Sequence, residues 1–248
     1  MKKNKVIAVS IADEKNLKYF EKMKNSLRKF HTEEELPLAL VGPAQLKNTP
    51  DPFFFYRFTP IIGQQMLNMG YDTVIKLDAD QVITGKLNHL WEGNFDVGVV
   101  QNSNPREALK YPVQVWDINP LTYVNCGLVV MKSMEFVNHW LNLCYSPHFE
   151  RYQMKEQDLL NILVFYGNYN IKFFDNSNKW HGLISKGYWI NTELKDDKLI
   201  LPKNDEWPKD EDKEIVCIHW AGGNLPNKMN FNTSFKEDVA KWLNKLTS

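Results

Sequence analysis

The sequence predicts an α/β fold in which helices flank a mainly parallel central sheet. Short, continuous apolar runs of strand length alternate with longer stretches in which apolar residues recur at helical spacing. Glycine and proline stand at the ends of several of these segments, where turns are expected. Because strands that alternate with helices pair mainly in parallel, a ligand crevice is expected beyond the carboxyl ends of the strands.

The first third of the chain predicts three strands and two helices in alternation. The strands are expected at residues 6–11, 36–41 and 73–77, and the helices at residues 17–30 and 58–69. Gly70 closes the second helix. The third strand runs directly into Asp78-Ala79-Asp80, so two carboxylates are expected at the end of a buried strand.

The rest of the chain predicts more elements of the same two kinds. Strands are expected at residues 95–100, 122–131, 171–174 and 215–220, and helices at 134–144 and 155–166. Residues 175–213 are rich in Trp, Gly, Pro, Lys and Asp, which indicates long surface loops or hairpins. Apolar residues from Phe235 to Leu246 predict an amphipathic closing helix. We expect residues 1–248 to form a single domain.

The composition argues against several classes of protein. Lys and Arg together number 30, as do Asp and Glu, so the chain lacks the positive surplus of a nucleic-acid-binding protein. It has no run of about 18 apolar residues for a membrane span. The apolar run near the N-terminus stops at Asp13, too early for a signal peptide. Cys126, Cys144 and Cys217 lie far apart in apolar segments, which indicates buried thiols in a cytoplasmic protein.

The carboxylates of Asp78 and Asp80 suit a hard divalent cation such as Mg²⁺ or Mn²⁺ with phosphate oxygens beside it. Residues 210–212 have the same spacing, but their charged neighbours indicate solvated side chains. A capping or solvated turn is the alternative for Asp78 and Asp80. His219 ends the last strand before a turn whose backbone amides suit an anion, and a hydrogen-bonded core histidine is its alternative.

Three further polar segments interrupt apolar surroundings. Arg57 suits a phosphate through its planar guanidinium, or pairs with a structural carboxylate. Asn125-Cys126-Gly127 lies within an apolar strand, where a ligand that approaches the backbone explains the glycine. Residues 156–158, Glu-Gln-Asp, open a helix, where acidic residues also stabilise the helix dipole.

In this order, the motifs resemble those of glycosyltransferase family 8, which includes glycogenin and bacterial galactosyltransferases of lipopolysaccharide synthesis. Tyr56-Arg57-Phe58 is similar to an element that precedes the family's metal motif, and residues 74–80 and 84–87 resemble its strand, DxD motif and exit turn. Residues 125–128, 156–161 and 219–222 are similar to its Asn-x-Gly strand, its Asp-Gln-Asp-like helix start and its C-terminal His-x-x-Gly. The resemblance spans residues 5–230 and rests on the order of all five motifs.

The resemblance implies a Rossmann-like GT-A fold, with nucleotide binding in residues 1–100 and sugar and acceptor binding in residues 101–248. It implies that Asp78, Asp80 and His219 hold Mn²⁺ or Mg²⁺ at the donor diphosphate. Catalytic roles are implied for Glu156, Gln157 and Asp158. Contacts with the donor are implied for Ala8, Ser10, Arg57, Asp78, Ala79, Asp80, Asn125, Gly127, Gly222 and Lys228.

The activity that the resemblance implies is transfer of a hexose from a nucleoside-diphosphate sugar, most simply a UDP-sugar, to an acceptor hydroxyl with retention. The expected partners are this donor and a carbohydrate or another acceptor that carries a hydroxyl. Two other functions remain open. Paired aspartates with a divalent cation also serve phosphohydrolases and nucleotidyltransferases. A non-catalytic module that binds a nucleotide-sugar or a glycan would keep the same fold, with changes such as Glu156 in place of the family's aspartate.

Overall fold

A computed structural model describes residues 4–101, 118, 122–174, 179–183, 191–203, 210–220 and 229–248. Its elements in chain order are β1 (Val6–Ile11), α1 (Leu17–Phe30), β2 (Leu38–Val41), α2 (Pro43–Lys47), α3 (Phe54–Asn68), β3 (Thr73–Leu77), β4 (Gln81–Ile83), β5 (Val97–Gln101), β6 (Val124–Met131), α4 (Met134–Cys144), α5 (Glu156–Tyr166), β7 (Ile171–Phe173), β8 (Lys179–Leu183), β9 (Glu193–Lys195), β10 (Lys198–Leu201), β11 (Lys213–His219) and α6 (Glu237–Thr247).

The central sheet has six strands in the order β2-β1-β3-β6-β5-β7. Strand β1 pairs in parallel with β2 and β3, and β5 pairs in parallel with β7. Strand β6 lies antiparallel to both β3 and β5, so five strands share one direction and β6 opposes them. The predicted mainly parallel sheet is confirmed. The reversal of β6 brings its amino end beside the carboxyl end of β3, where Asp78 follows.

Both faces of the central sheet are covered, which explains why its strands are continuous apolar runs. Ile7, Val9 and Ile11 point to one face and pack with apolar residues of α3, α4 and α5. Val6 and Ala8 point to the other face and pack with residues of α1. Because side chains alternate along a strand, β1 contributes to two separate apolar clusters and is buried at every position.

A second sheet joins β4, β11, β10 and β9 in that order, and β8 also pairs with β11. The hairpins predicted within residues 175–213 are confirmed in part, since β9 and β10 are antiparallel neighbours. Asp196 and Asp197 connect them, with φ of 51° and 59°, as a two-residue hairpin turn of type I′ requires. Strand β4 was not predicted, because three residues directly after Asp80 are too few to show a periodic pattern.

Helix α3 begins at Phe54, four residues earlier than residue 58, where the apolar pattern predicts it. The side-chain carboxylate of Asp51 accepts a hydrogen bond from the backbone N–H of Phe53 at 2.8 Å. The backbone carbonyl of Asp51 accepts one from the backbone N–H of Phe54 at 3.1 Å. These bonds start the helix early. Arg57 therefore lies in the first turn of α3, whereas the sequence places it ahead of the helix.

Two expectations from composition can be compared with the structure. All three cysteines are buried free thiols, as predicted. Among the described residues, none of the helices combines the length and the apolar character that crossing a membrane would need.

Candidate functional site

Pairing between β4 and β11 brings His219 to the two aspartates, 139 residues away from the nearer one in sequence. Asp78 and Asp80 lie in the connection from β3 to β4, and β4 is antiparallel to β11 with Gln81 opposite His219. The backbone N–H of Trp220 donates to the carbonyl of Asp80 at 3.1 Å, which extends the ladder by one residue. The predicted metal ligands therefore meet because one short strand continues from the acidic motif.

The three side chains form a compact group of oxygen and nitrogen donors. His219 Nε2 lies 3.1 Å from Asp78 Oδ2 and 3.2 Å from Asp80 Oδ1. One ligand atom from each residue lies within 4.8 Å of the other two. The side chains are 31% exposed for Asp78, 14% for Asp80 and 8% for His219, so a ligand can reach the group from the side of Asp78.

The donor set fits a divalent cation that keeps positions for water or phosphate oxygens. Carboxylates are preferred ligands of Mg²⁺ and Mn²⁺, and an imidazole is a common ligand of transition metals. Among the described residues, Asp78, Asp80 and His219 are the side chains whose ligand atoms lie close enough together to bind one ion. The group could therefore hold a metal ion.

Without a metal, a proton on His219 holds the two carboxylates together. Burial opposes a charge on the imidazole, but the carboxylates of Asp80 and Asp78 outweigh it and raise the pKa of His219 to about 9. Burial also opposes the charge on Asp78, but Lys76 and His219 outweigh it and hold the pKa of that carboxyl well below its usual range. At neutral pH the group is thus an imidazolium between two carboxylates.

Gly127 is required by the position of His219. A Cβ at residue 127 would lie 2.6 Å from His219 Nδ1 and 2.7 Å from Asn125 Oδ1, which is closer than real Cβ atoms approach. The backbone N–H of Gly127 also donates to Asn125 Oδ1 at 2.7 Å. The sequence predicts that a ligand approaches this glycine, whereas in the structure the protein's own imidazole occupies the space. A donor contact for Asn125 or Gly127 stays a prediction.

The start of α5 is tied to the start of β6 by buried hydrogen bonds. Gln157 Oε1 accepts from the N–H of Cys126 at 2.9 Å, and Asp158 Oδ1 accepts from the hydroxyl of Tyr123 at 2.7 Å. The other oxygen of Asp158 accepts from the N–H of Met154 at 2.8 Å. Gln157, predicted to be catalytic, therefore holds the backbone of β6, whereas Asp158, also predicted to be catalytic, holds the side chain of Tyr123 and the backbone of Met154; any contact of either residue with substrate stays a prediction.

Glu156 differs from its two neighbours. Its Oε2 is buried and has no hydrogen-bond partner among the described residues. Burial raises the pKa of Glu156 to about 8, so this carboxyl is mostly protonated at neutral pH in the metal-free protein. The preceding residue, Lys155, has a φ of 50° and a ψ of −122°. A conformation of this kind costs a non-glycine residue about 1–3 kcal/mol and is found most often at functional sites.

Two residues of this region were missed by the sequence analysis. Tyr123 binds Asp158, and Asn161 Oδ1 accepts from the N–H of Val124 at 2.7 Å while its Nδ2 donates to the carbonyl of Val124 at 2.9 Å. Asn161 lies in the quoted helix motif, in an apolar stretch where a buried amide needs partners, so its polarity was the available signal. Tyr123 carries no comparable signal, because tyrosine is common in strands.

Removing the hydroxyl of Tyr123 is expected to destabilise the fold. In Tyr123→Phe one oxygen of the buried Asp158 carboxylate loses its donor, and we expect the free energy of unfolding to fall by about 1–3 kcal/mol in denaturant titrations. Tyr145→Phe is the matched control, because Tyr145 is 55% exposed and keeps its ring against Arg57. A loss of the same size in both variants would contradict the role given to the bond between Tyr123 and Asp158.

Arg57 takes the structural alternative that the sequence leaves open. Its Nη1 lies 2.9 Å from Asp51 Oδ1 and 3.0 Å from Oδ2, and its Nε donates to the carbonyl of Cys144 at 2.9 Å. The guanidinium also lies over the rings of Tyr145 and Phe149, each 4.6 Å away. These contacts join α3 to the end of α4, and a contact between Arg57 and the donor stays a prediction.

The other predicted donor contacts fall into two groups. Ala8 and Ser10 have no exposed surface, and Ala79 is only 7% exposed, so each is part of the packed interior. Ser10 Oγ has no hydrogen-bond partner among the described residues. Gly222 and Lys228 lie outside the described residues.

No protein-family sequence model matches the chain, and the comparison with curated proteins found no match either. Solved structures do match it. The bifunctional glycosyltransferase WbbM, in its apo form, is 15% identical with a TM-score of 0.61, over 99% of this chain and 50% of that chain. This chain thus spans half the length of WbbM.

Two further structures match along nearly their whole length. The galactosyltransferase LgtC, in complex with donor and acceptor sugar analogues, is 15% identical with a TM-score of 0.55, over 97% of this chain and 95% of that chain. A glycosyltransferase involved in glycosylation of the major capsid of PBCV-1 is 12% identical with a TM-score of 0.56, over 97% and 98%. Together with the mainly parallel sheet, these similarities show that the chain has the GT-A fold.

Proposed function

We propose that the chain is a metal-dependent glycosyltransferase that moves a hexose from a UDP-sugar to the hydroxyl of an acceptor, with retention of anomeric configuration. The observation that carries the proposal is the group of Asp78, Asp80 and His219, which lies at the carboxyl end of β3 in a GT-A fold. LgtC, which shares this fold, is a galactosyltransferase whose structure is in complex with donor and acceptor sugar analogues. Ligand sites of α/β sheets are expected at this edge.

The candidate metal group would hold the donor through a bound cation. Asp78, Asp80 and His219 would bind Mn²⁺ or Mg²⁺, which as a Lewis acid stabilises the charge of the departing diphosphate. Asp78 is the most exposed of the three and lies nearest to solvent, where the phosphates would enter. Gln157 accepts from the N–H of Cys126 in β6, and this bond would help to hold the neighbouring Asn125 beside the sugar.

Glu156 suits a hydrogen bond to the sugar better than nucleophilic attack. Burial raises its pKa to about 8, so the carboxyl carries a proton at neutral pH and can donate it to a sugar oxygen. A protonated carboxyl is a poor nucleophile.

Calorimetric titration of UDP, with Mn²⁺ and with EDTA, tests the donor site. We expect UDP to bind with Mn²⁺ and not with EDTA, and expect Asp80→Asn to weaken binding at least about tenfold, because a ligand carboxylate is lost. Asp210→Asn is the matched control, since Asp210 begins an acidic segment of the same spacing at the exposed surface. Metal-independent UDP binding, or equal effects of the two variants, would contradict the proposal.

Product analysis with UDP-sugars separates the proposal from its two alternatives. A glycosyltransferase releases UDP and transfers the sugar, or slowly hydrolyses it, and nuclear magnetic resonance reports the anomeric configuration of the sugar first released. Release of inorganic phosphate or pyrophosphate with the sugar still attached would indicate a phosphohydrolase or nucleotidyltransferase. Metal-dependent binding without any turnover would indicate a non-catalytic nucleotide-sugar-binding module.

A further inference from the structure

Lys76 places a buried positive charge next to the candidate metal group. It lies in the middle of β3 between Ile75 and Leu77, both of which are completely buried, and its own side chain is only 7% exposed. Its Nζ donates to Asp78 Oδ1 and, at 2.7 Å, to the carbonyl of Cys126. Burying an ammonium is costly unless it is paired, so this residue needs an explanation beyond packing.

The contacts of Lys76 determine how Asp78 is oriented. Because Oδ1 accepts from Lys76, Oδ2 is the oxygen that faces His219, at 3.1 Å. The carbonyl of Cys126 belongs to β6, which pairs with β3 through Leu77 and Leu128, so the ammonium also bridges the two antiparallel strands. Asp78 therefore offers one oxygen to a cation, and its other oxygen stays with Lys76.

Lys76 also changes the charge that a loaded site would present. Two carboxylates cancel the charge of one divalent cation, and His219 must give up its proton to become a ligand. The ammonium then leaves a net positive charge at the group, which favours a diphosphate. An ammonium has three N–H donors, and among the described residues Asp78 and Cys126 take two of them, so one remains for an oxygen of a ligand.

Arg57, for which the sequence leaves a phosphate contact and a structural ion pair open, makes the ion pair in the structure. The guanidinium of Arg57 is held by Asp51, the carbonyl of Cys144 and aromatic rings. Lys76, by contrast, contacts an aspartate of the metal group directly. A buried lysine in an apolar strand was visible in the sequence, but nothing there showed which side chain it would meet.

We propose that Lys76 is the cation of the donor site that attracts the diphosphate: its ammonium binds one oxygen of Asp78 and supplies a permanent positive charge for the diphosphate of the donor. The inference rests on the function proposed above and adds a residue to its site. It predicts opposite changes in the affinity for Mn²⁺ alone and in the affinity for UDP with Mn²⁺ when Lys76 is neutralised, which a merely structural lysine would not produce. The ammonium repels a divalent cation that binds alone, and it attracts a diphosphate that binds together with that cation.

The test compares Lys76→Met and Lys76→Gln with the unchanged protein. Mn²⁺ binding alone is followed by electron paramagnetic resonance of the free ion, and UDP binding at saturating Mn²⁺ by calorimetry. We expect both variants to bind Mn²⁺ alone about threefold or more tightly and to bind UDP about tenfold or more weakly, because a positive charge that contacts Asp78 of the candidate metal group is lost. Lys76→Arg, which keeps the charge, is expected to retain most of the UDP affinity.

Two controls keep these outcomes interpretable. Lys132→Met removes another partly buried lysine, whose ammonium donates to the carbonyls of Trp91 and Gly93 and lies over the ring of Phe95, and it should change neither affinity. Thermal unfolding of every variant shows whether it folds, and Lys76→Gln keeps an amide donor in case Lys76→Met does not fold.

Parallel weakening of Mn²⁺ and UDP binding in both neutral variants would reduce Lys76 to a structural role and overturn the inference. Unchanged UDP affinity in either neutral variant would do the same. If the unchanged protein bound no UDP under any condition, the proposed function would fail first and the inference with it. UDP binding by the unchanged protein therefore tests the proposed function, and the ratio of the affinities of the variants to those of the unchanged protein tests the role of Lys76.

Discussion

An alanine at position 127 is expected to disable the candidate metal group. Its Cβ would lie 2.6 Å from His219 Nδ1 and 2.7 Å from Asn125 Oδ1, so the imidazole must move. The side chain of His219 is only 8% exposed, and its strand pairs with β4 and β10, so the imidazole has little room to move. We expect the free energy of unfolding to fall by about 1–3 kcal/mol, and Mn²⁺ affinity to fall by about 10–100-fold. Denaturant unfolding and Mn²⁺ titration measure the two effects.

Gly42→Ala is the matched control for the change at Gly127. A Cβ at residue 42 would meet its nearest neighbour at 3.5 Å, an ordinary contact, so neither stability nor Mn²⁺ affinity should change appreciably. A second comparison repeats Gly127→Ala in a His219→Ala background. If the methyl group acts by displacing the imidazole, it should cost less stability there than in the unchanged protein. Equal costs in the two backgrounds would refute this explanation.

The affinity of the group for Mn²⁺ is expected to rise steeply with pH. The pKa of His219 is raised to about 9, so at neutral pH the imidazole carries a proton that a metal ion must displace. Below that pKa, each unit of pH raises the deprotonated fraction about tenfold, and above it the fraction no longer increases. We therefore expect an increase in affinity of about 100-fold between pH 6.5 and pH 8.5, measured by Mn²⁺ titration without nucleotide.

Two variants identify the group responsible for this pH dependence. In His219→Gln the titrating ligand is lost, so affinity should be lower but much less dependent on pH. Glu156 has a pKa raised to about 8, and its ionisation would add negative charge in the same pH range and in the same direction. Glu156→Gln should therefore keep most of the pH dependence if His219 is its main source. A profile that becomes flat in Glu156→Gln and stays steep in His219→Gln would reverse the assignment.

The same pKa shifts have a consequence for folding. A histidine whose pKa is raised by folding stabilises the folded state below its unfolded value of about 6.5, and this contribution disappears as the pH rises through about 9. The raised pKa of Glu156 acts in the same direction, since ionisation of the buried carboxyl opposes folding. The metal-free protein should therefore lose stability from neutral to alkaline pH, over the range in which the metal site becomes available.

Local sequence patterns were sufficient to predict most strands of the central sheet and the position of the acidic motif. Strand β1 and helices α1 and α4 have the predicted bounds, because their apolar residues follow one period without interruption. Asp78 and Asp80 could be placed at a ligand crevice because a parallel strand buried on both faces ends directly before them. The order of five weak motifs indicated the GT-A fold, which the similarity to solved structures supports.

Only the tertiary structure determined what surrounds those two carboxylates. Strand β4 is too short for a pattern, yet its pairing with β11 is what brings His219 within 3.2 Å of Asp80. Lys76 and Arg57 are both cations in apolar surroundings, and local sequence could not tell which one meets an acidic ligand of the metal group. Such pairings depend on strand register and on contacts between residues far apart in the chain, and neither leaves a periodic signal in sequence. The sequence by itself therefore determined the fold class and the candidate ligands, whereas long-range strand pairing decided their geometry, their charge and the partner of each buried polar group.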